Sequence, residues 1–262
     1  MNRLCLGLLV FLSSLNAWSL GSLANVEILD RDSGATLPVY RHHGEYWVAG
    51  NPGARYAVVV HNLRGERLLA VASVDGVNVI SGETAAFNQT GYVFRGGESY
   101  AINGWRKSNQ EIADFNFTAL PDSYAARTGR PANVGIIGVA LFLERQPPAA
   151  QYQPDLSQRR DGAAARAAPP SAAANSPLNS LAEPAAAAKL GTGHGAREAS
   201  YVSNTQFDRL SDSPNEIIRI RYDRFDHLVA MGIVPARPTP GVPNAFPDSA
   251  VSRFVPDPPG GT

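Results

Sequence analysis

Among the five histidines of the chain, His194 has the setting best suited to chemistry. It lies in Gly191-Thr192-Gly193-His194-Gly195, where glycine neighbours leave an imidazole accessible as a ligand or a proton carrier. The same glycines invite comparison with phosphate-binding loops, but their context does not fit. A dinucleotide fingerprint needs a strand before it and a helix after it, and a P-loop needs a Lys-Ser or Lys-Thr pair. Here an Ala/Pro-rich stretch precedes and no such pair follows, so the pentapeptide reads as a re-entry loop that needs glycine geometry. His42 and His43 are sequence neighbours, and neighbours on a strand point to opposite faces. They read as an exposed hairpin tip before Gly44, and His61 as a half-buried, hydrogen-bonded residue.

Hydrolytic machinery is hard to assemble from these residues. Ser73 or Ser123 can be combined with a histidine on paper, yet no Gly-x-Ser-x-Gly elbow is present to expose a strained nucleophile. Carboxylates for sugar cleavage would have to face one another, and Asp75, Glu83, Asp114 and Asp122 cannot be ranked by spacing. The places that read as binding surfaces are Trp105-Arg106-Lys107 and the loop from Asp122 to Pro131. That loop holds Asp122, Tyr124, Arg127 and Arg130. An equally good structural account pairs Arg127 or Arg130 with Asp122 to pin the loop. Tyr46, Trp47 and Tyr56 suit a sugar-stacking platform, though alternating strand positions favour the core.

These side chains need a scaffold. From 25 to 145, short alternating runs are broken by Gly, Pro, Asn and Asp, the pattern of an all-β domain. Asp75-Gly76, between two β-prone runs, predicts a tight type I′ hairpin. The apolar run from Asn133 to Phe142 predicts a central strand. Ala and Pro dominate 146–189, which lacks the large apolar groups that offset ordering entropy and reads as a disordered linker. In 190–234, Glu216 to Asp223 alternates as a strand with Ile218, Ile220 and Tyr222 on one face. Phe225, Leu228, Val229 and Met231 follow at helical spacing, with Gly232 as the stop. The segment is too small for its own core and is expected to dock on the first domain. A Pro-rich tail, 235–262, closes the chain. The expected fold class is mainly β, an antiparallel β-sandwich-like domain with a disordered Ala/Pro-rich linker and a small C-terminal α+β segment docked on it.

The first residues, Met1-Asn2-Arg3 and the apolar run Leu4 to Leu12, have the order of a secretory signal. The run is shorter than the about 20 residues a membrane span needs, so no span is expected after cleavage. Ser22 and Ala24 fit a processing site that makes residues 1–24 the signal peptide and Asn25 the first mature residue; Ala17 and Ser19 form a second pair. Cys5, the only cysteine, goes with the leader, so the mature chain has no disulfide and no cysteine-ligated zinc or iron–sulfur site. A lipoprotein reading of Cys5 is disfavoured, since the apolar run follows it. The chain carries 23 basic and 23 acidic side chains, without the basic excess of a nucleic-acid binder.

Four stretches carry a family resemblance: Arg67 to Gly82 with its Ser73-Val74-Asp75-Gly76-Val77 core, Gly104-Trp105-Arg106-Lys107-Ser108, Asp122 to Pro131, and Gly191 to Gly195. On them the chain resembles a family of uncharacterised exported bacterial β-rich proteins. The resemblance covers both the β-domain and the C-terminal segment, implies a shared architecture, and supplies no site because the family has no established activity. The expectation is therefore a periplasmic or extracellular protein of the cell envelope. It would act as a binding or structural module toward an envelope protein or glycan, with no metal or cofactor and no nucleic acid. Its candidate binding residues are Trp105, Arg106, Asp122, Tyr124, Arg127, Arg130 and His194. The alternative is a hydrolase of an envelope polymer using His194 and a carboxylate such as Asp75 or Asp122.

Overall fold

The computed structural model describes residues 20–146 and 189–235. The expected linker, the closing tail and most of the leader fall outside the described residues. Within them the alternating runs pair into two seven-stranded sheets that share one core. The first sheet holds β1 (Ala24–Asp30), β4 (Arg55–Asn62), β8 (Ser99–Ile102), β9 (Gly104–Arg106), β10 (Glu111–Ala119), β12 (Leu190–Thr192) and β13 (Arg197–Ala199). The second holds β2 (Val39–His42), β3 (Glu45–Gly50), β5 (Leu68–Val74), β6 (Val77–Asn78), β7 (Tyr92–Phe94), β11 (Ile136–Leu143) and β14 (Glu216–Arg224). Two short helices, α1 (Tyr124–Arg127) and α2 (Phe225–Ala230), cap loops at the sheet ends.

Period-two alternation sends Val26 and Ile28, Val58 and Val60, and Phe115 and Phe117 inward from the first sheet. Ala70 and Val74, Val139 and Leu141, and Ile218 and Ile220 meet them from the second, all buried. Burying each large side chain contributes about 1.5–3 kcal/mol, which lets the described fold stand without cross-links. The hairpin expected at Asp75-Gly76 is present: both residues have positive φ, 53° and 74°, and Val74 pairs with Val77. The central strand is also present as β11, between β5 and β14, although residues 131–133 form a 3-10 turn and the strand begins only at Ile136.

The C-terminal segment joins the sandwich by strand insertion. β14 lies inside the second sheet, antiparallel to β11 and parallel to β3, which makes that sheet mixed. Ile218, Ile220 and Tyr222 face the core as their alternation requires, and α2 ends before Gly232, at φ 71°. β12 and β13 both pair with β10 in the first sheet, so each sheet contains strands from either side of the linker. Between them the register slips by one residue, from Phe117↔Thr192 to Ala113↔Arg197, which marks a β-bulge within the glycine-rich loop. The loop is thus strand-like. Its glycines allow close approach: a Cβ at Gly193 would stand 2.6 Å from Asn116 Oδ1, and one at Gly195 only 1.7 Å from Asp114 Oδ1.

A buried polar chain joins the two halves. Asp75 Oδ1 accepts from Gly135 N at 2.9 Å and from the Tyr222 hydroxyl at 2.5 Å, and Oδ2 accepts from Thr192 N at 2.8 Å. Because the Tyr222 proton goes to Asp75, Thr192 Oγ1 donates to Tyr222 at 2.7 Å. The Tyr56 hydroxyl in turn donates to Thr192 Oγ1 at 2.6 Å. Every hydroxyl in the chain Tyr56, Thr192, Tyr222 spends its one proton in the same direction.

Candidate functional site

β9 follows β8 after a single residue, and β7 of the opposite sheet faces both, so the sandwich opens at this corner. Alternation on β9 turns Trp105 into the core and Arg106 the other way. Arg106 thereby borders a cleft of about 530 Å³ between Tyr92 and Tyr100, with residues 201–205 crossing its mouth. Arg106 Nη1 donates to the Ser200 carbonyl at 2.6 Å, and Nη2 to Ser200 Oγ at 3.1 Å and the Tyr100 hydroxyl at 3.4 Å. Nε and Nη2 both reach the Tyr92 hydroxyl at 3.3 Å, and the guanidinium carbon lies 5.8 Å from the Tyr92 ring centre.

All of these partners are neutral. Among the described residues no carboxylate lies within ion-pair distance of Arg106, although nine such pairs form elsewhere. The cleft wall carries one acid, Glu98, whose Oε2 accepts from Arg95 N at 2.7 Å. Burial raises the pKa of the Tyr92 hydroxyl, and the Arg106 charge opposes that shift. Tyr201, 75% exposed, stands at the mouth beside Ser203, with Asn109 also lining the cleft. A partly buried cation flanked by aromatic rings, amides and hydroxyls suits a polar ligand that bears a carboxylate.

The other expected site residues gather elsewhere. Trp105 is 3% exposed, and its indole N–H donates to the Gly193 carbonyl at 2.9 Å. Its ring lies 4.8 Å from that of Tyr124, which lies 5.8 Å from His194, so the three form one stack that clamps the glycine-rich loop onto α1. The His194 pKa is lowered by burial first, then by the charges of Lys107, Arg197 and Arg127. No carboxylate oxygen among the described residues comes within ion-pair distance of the imidazole. Asp75 spends its carboxylate on Gly135, Tyr222 and Thr192, so it is not His194's partner.

Asp122 is exposed and makes no ion pair with Arg127 or Arg130 among the described residues. Arg130 holds its loop another way, donating to the Gly82 carbonyl at 3.0 Å and to Thr128 Oγ1 at 2.9 Å. His43, with φ 48°, and Gly44, with φ 81°, form the exposed tip between β2 and β3. Tyr56 is fully buried, and Trp47 packs against α2. Among the described residues no three metal-ligating side chains gather, and no helix is long and apolar enough to cross a membrane.

Sequence reasoning singled out Arg106 but missed Tyr92, Tyr100, Ser200 and Tyr201. The tyrosines read as ordinary strand residues, and nothing near Ser200 in sequence shows that this segment returns to β9.

Fold and cleft together define a two-sheet β-sandwich whose C-terminal part supplies one inner strand, β14, two short edge strands and one wall of the candidate site. No family model, no curated protein and no solved structure matches the chain. The resemblance to exported bacterial β-rich proteins therefore rests on its motifs alone.

Proposed function

We propose that this chain is an exported envelope protein, periplasmic or extracellular, that binds acidic glycans in the Arg106 cleft and acts as a binding module. The observation that carries the reading is the Arg106 guanidinium, held among hydroxyls and a carbonyl with no counter-charge among the described residues and facing open space. A uronic acid fits this chemistry. Its carboxylate would neutralise the guanidinium, its ring face would lie on Tyr100 or Tyr201, and Asn109 and Ser203 would take its hydroxyls. The export half of the reading is supported by the basic, apolar and small-residue order of the first residues.

Calorimetric titration of the mature chain with glucuronic-acid oligomers, using glucose oligomers as the neutral control, tests the binding. The acidic oligomers should bind, more weakly as salt rises. Tyr201→Ala, at an exposed position, should lower affinity by about tenfold, and Arg106→Gln by more. Absence of acid-dependent binding, or equal affinity in both variants with unchanged melting temperatures, would refute the proposal.

A further inference from the structure

We infer that the mature chain begins at Leu20, after a cut between Ser19 and Leu20; the inference rests on the export reading. Residues 20–24 are built into the sandwich. Ser22 N and Leu23 N both donate to the Glu216 carboxylate at 2.7 Å, one to each oxygen, tying the start of β1 to the start of β14. The Leu23 carbonyl accepts from Leu63 N at 3.0 Å, and Ala24 is fully buried in register with Asn62. Leu20 and Leu23 pack against the main core. Gly21 lies so close that a Cβ there would meet Ala24 O and Ile218 Cδ1 at 2.5 Å.

A cut before Asn25 would strip all of this away and leave Glu216 without its two backbone donors. A cut before Leu20 keeps every contact. It also places the new ammonium where Leu20 N already donates to Asn25 Oδ1 at 3.2 Å, with Asn25 Nδ2 bound to Glu27 Oε1 at 2.8 Å. Ala17 and Ser19 supply the small residues, two positions apart, that a processing peptidase needs before its cut. Ser22 and Ala24 satisfy the same rule in sequence, but in the folded chain Ser22 N is bonded to the Glu216 carboxylate and Ala24 is the first residue of β1.

The test is intact mass and N-terminal sequencing of the full chain after expression in an exporting bacterial host. A start at Leu-Gly-Ser-Leu-Ala is expected. An exported protein starting at Asn-Val-Glu-Ile overturns the inference while leaving export intact, whereas a chain retained uncut inside the cell overturns both. Ser19→Leu puts a bulky residue at the cut and should reduce processing at least about tenfold. Unchanged processing at Leu20 would refute the role of Ser19. Chains produced without a leader give an independent readout: one starting at Leu20 should melt about 4 °C or more above one starting at Asn25. Equal melting temperatures would count against the inference.

Discussion

The Asp75 carboxylate accepts the backbone N–H of Thr192 at 2.8 Å, so a hairpin turn in the first part of the chain is bonded to the glycine-rich loop that follows the linker. The turn and the loop are 117 residues apart in sequence, and the contact is buried.

Asp75→Asn should destabilise the fold by about 2–4 kcal/mol. The carboxylate serves three donors, and an amide of the same shape turns an N–H toward one of them, leaving buried groups unpaired. Urea denaturation followed by tryptophan fluorescence measures the loss.

The stability of the wild-type chain should carry a pH-dependent contribution from Asp75. Burial, only partly offset by hydrogen bonds from Tyr222, Gly135 and Thr192, raises its carboxyl from 3.8 to about 6. The folded state therefore holds the proton more tightly than the unfolded state. The associated stability is fully present below about 3.8 and is lost as pH rises through about 6. A shift of roughly two units corresponds to about 3 kcal/mol. Urea midpoints from pH 4 to 7.5 should fall more steeply for wild type than for Asp75→Asn, and parallel curves would contradict the assignment.

Thr192→Val should cost about 1–3 kcal/mol although it preserves shape. Thr192 Oγ1 relays the proton chain between Tyr56 and Tyr222, and a methyl in its place leaves the Tyr56 hydroxyl buried without an acceptor. Tyr56→Phe combined with Thr192→Val should recover part of that loss, and a double-mutant cycle measures the coupling.

Gly195→Ala should destabilise by about 1–3 kcal/mol, because its Cβ would overlap Asp114 Oδ1. Asp114→Gly in the same chain should relieve the clash. Recovery of the melting temperature in the double variant is the expected outcome.

A chain ending at residue 146 should show no cooperative unfolding. It lacks β14, whose Ile218, Ile220 and Tyr222 are buried in the shared core, and the loss of such burial approaches the whole net stability of a domain. Far- and near-ultraviolet circular dichroism distinguishes a folded remnant from a collapsed one.

Much of the fold was legible beforehand. Alternation marked 25–145 as a β-rich region with a central strand near its end and assigned Ile218, Ile220 and Tyr222 to one face, because side-chain period and burial are local properties of a strand. The I′ hairpin followed from Asp75-Gly76, since positive φ at two adjacent positions is a local steric demand. The three-residue strands β9, β12 and β13 were missed, for a run that short has no period to read. The candidate site was legible only in part: Arg106 stood out as a charge beside Trp105, but the ring and hydroxyl partners that form its cleft come from three separate stretches.

By itself the sequence determined the β character, the two folded stretches around the Ala/Pro-rich segment, and the apolar face of the strand that carries Ile218, Ile220 and Tyr222. Those properties depend on side chains a few positions apart. Only the tertiary structure decided that β14 enters the middle of a sheet, that the glycines of the His194 loop make room for Asp114 and Asn116, and that Arg106 has no acidic partner among the described residues. Each of these depends on which distant backbone fills a given edge, and that choice is made by the packing of the whole core.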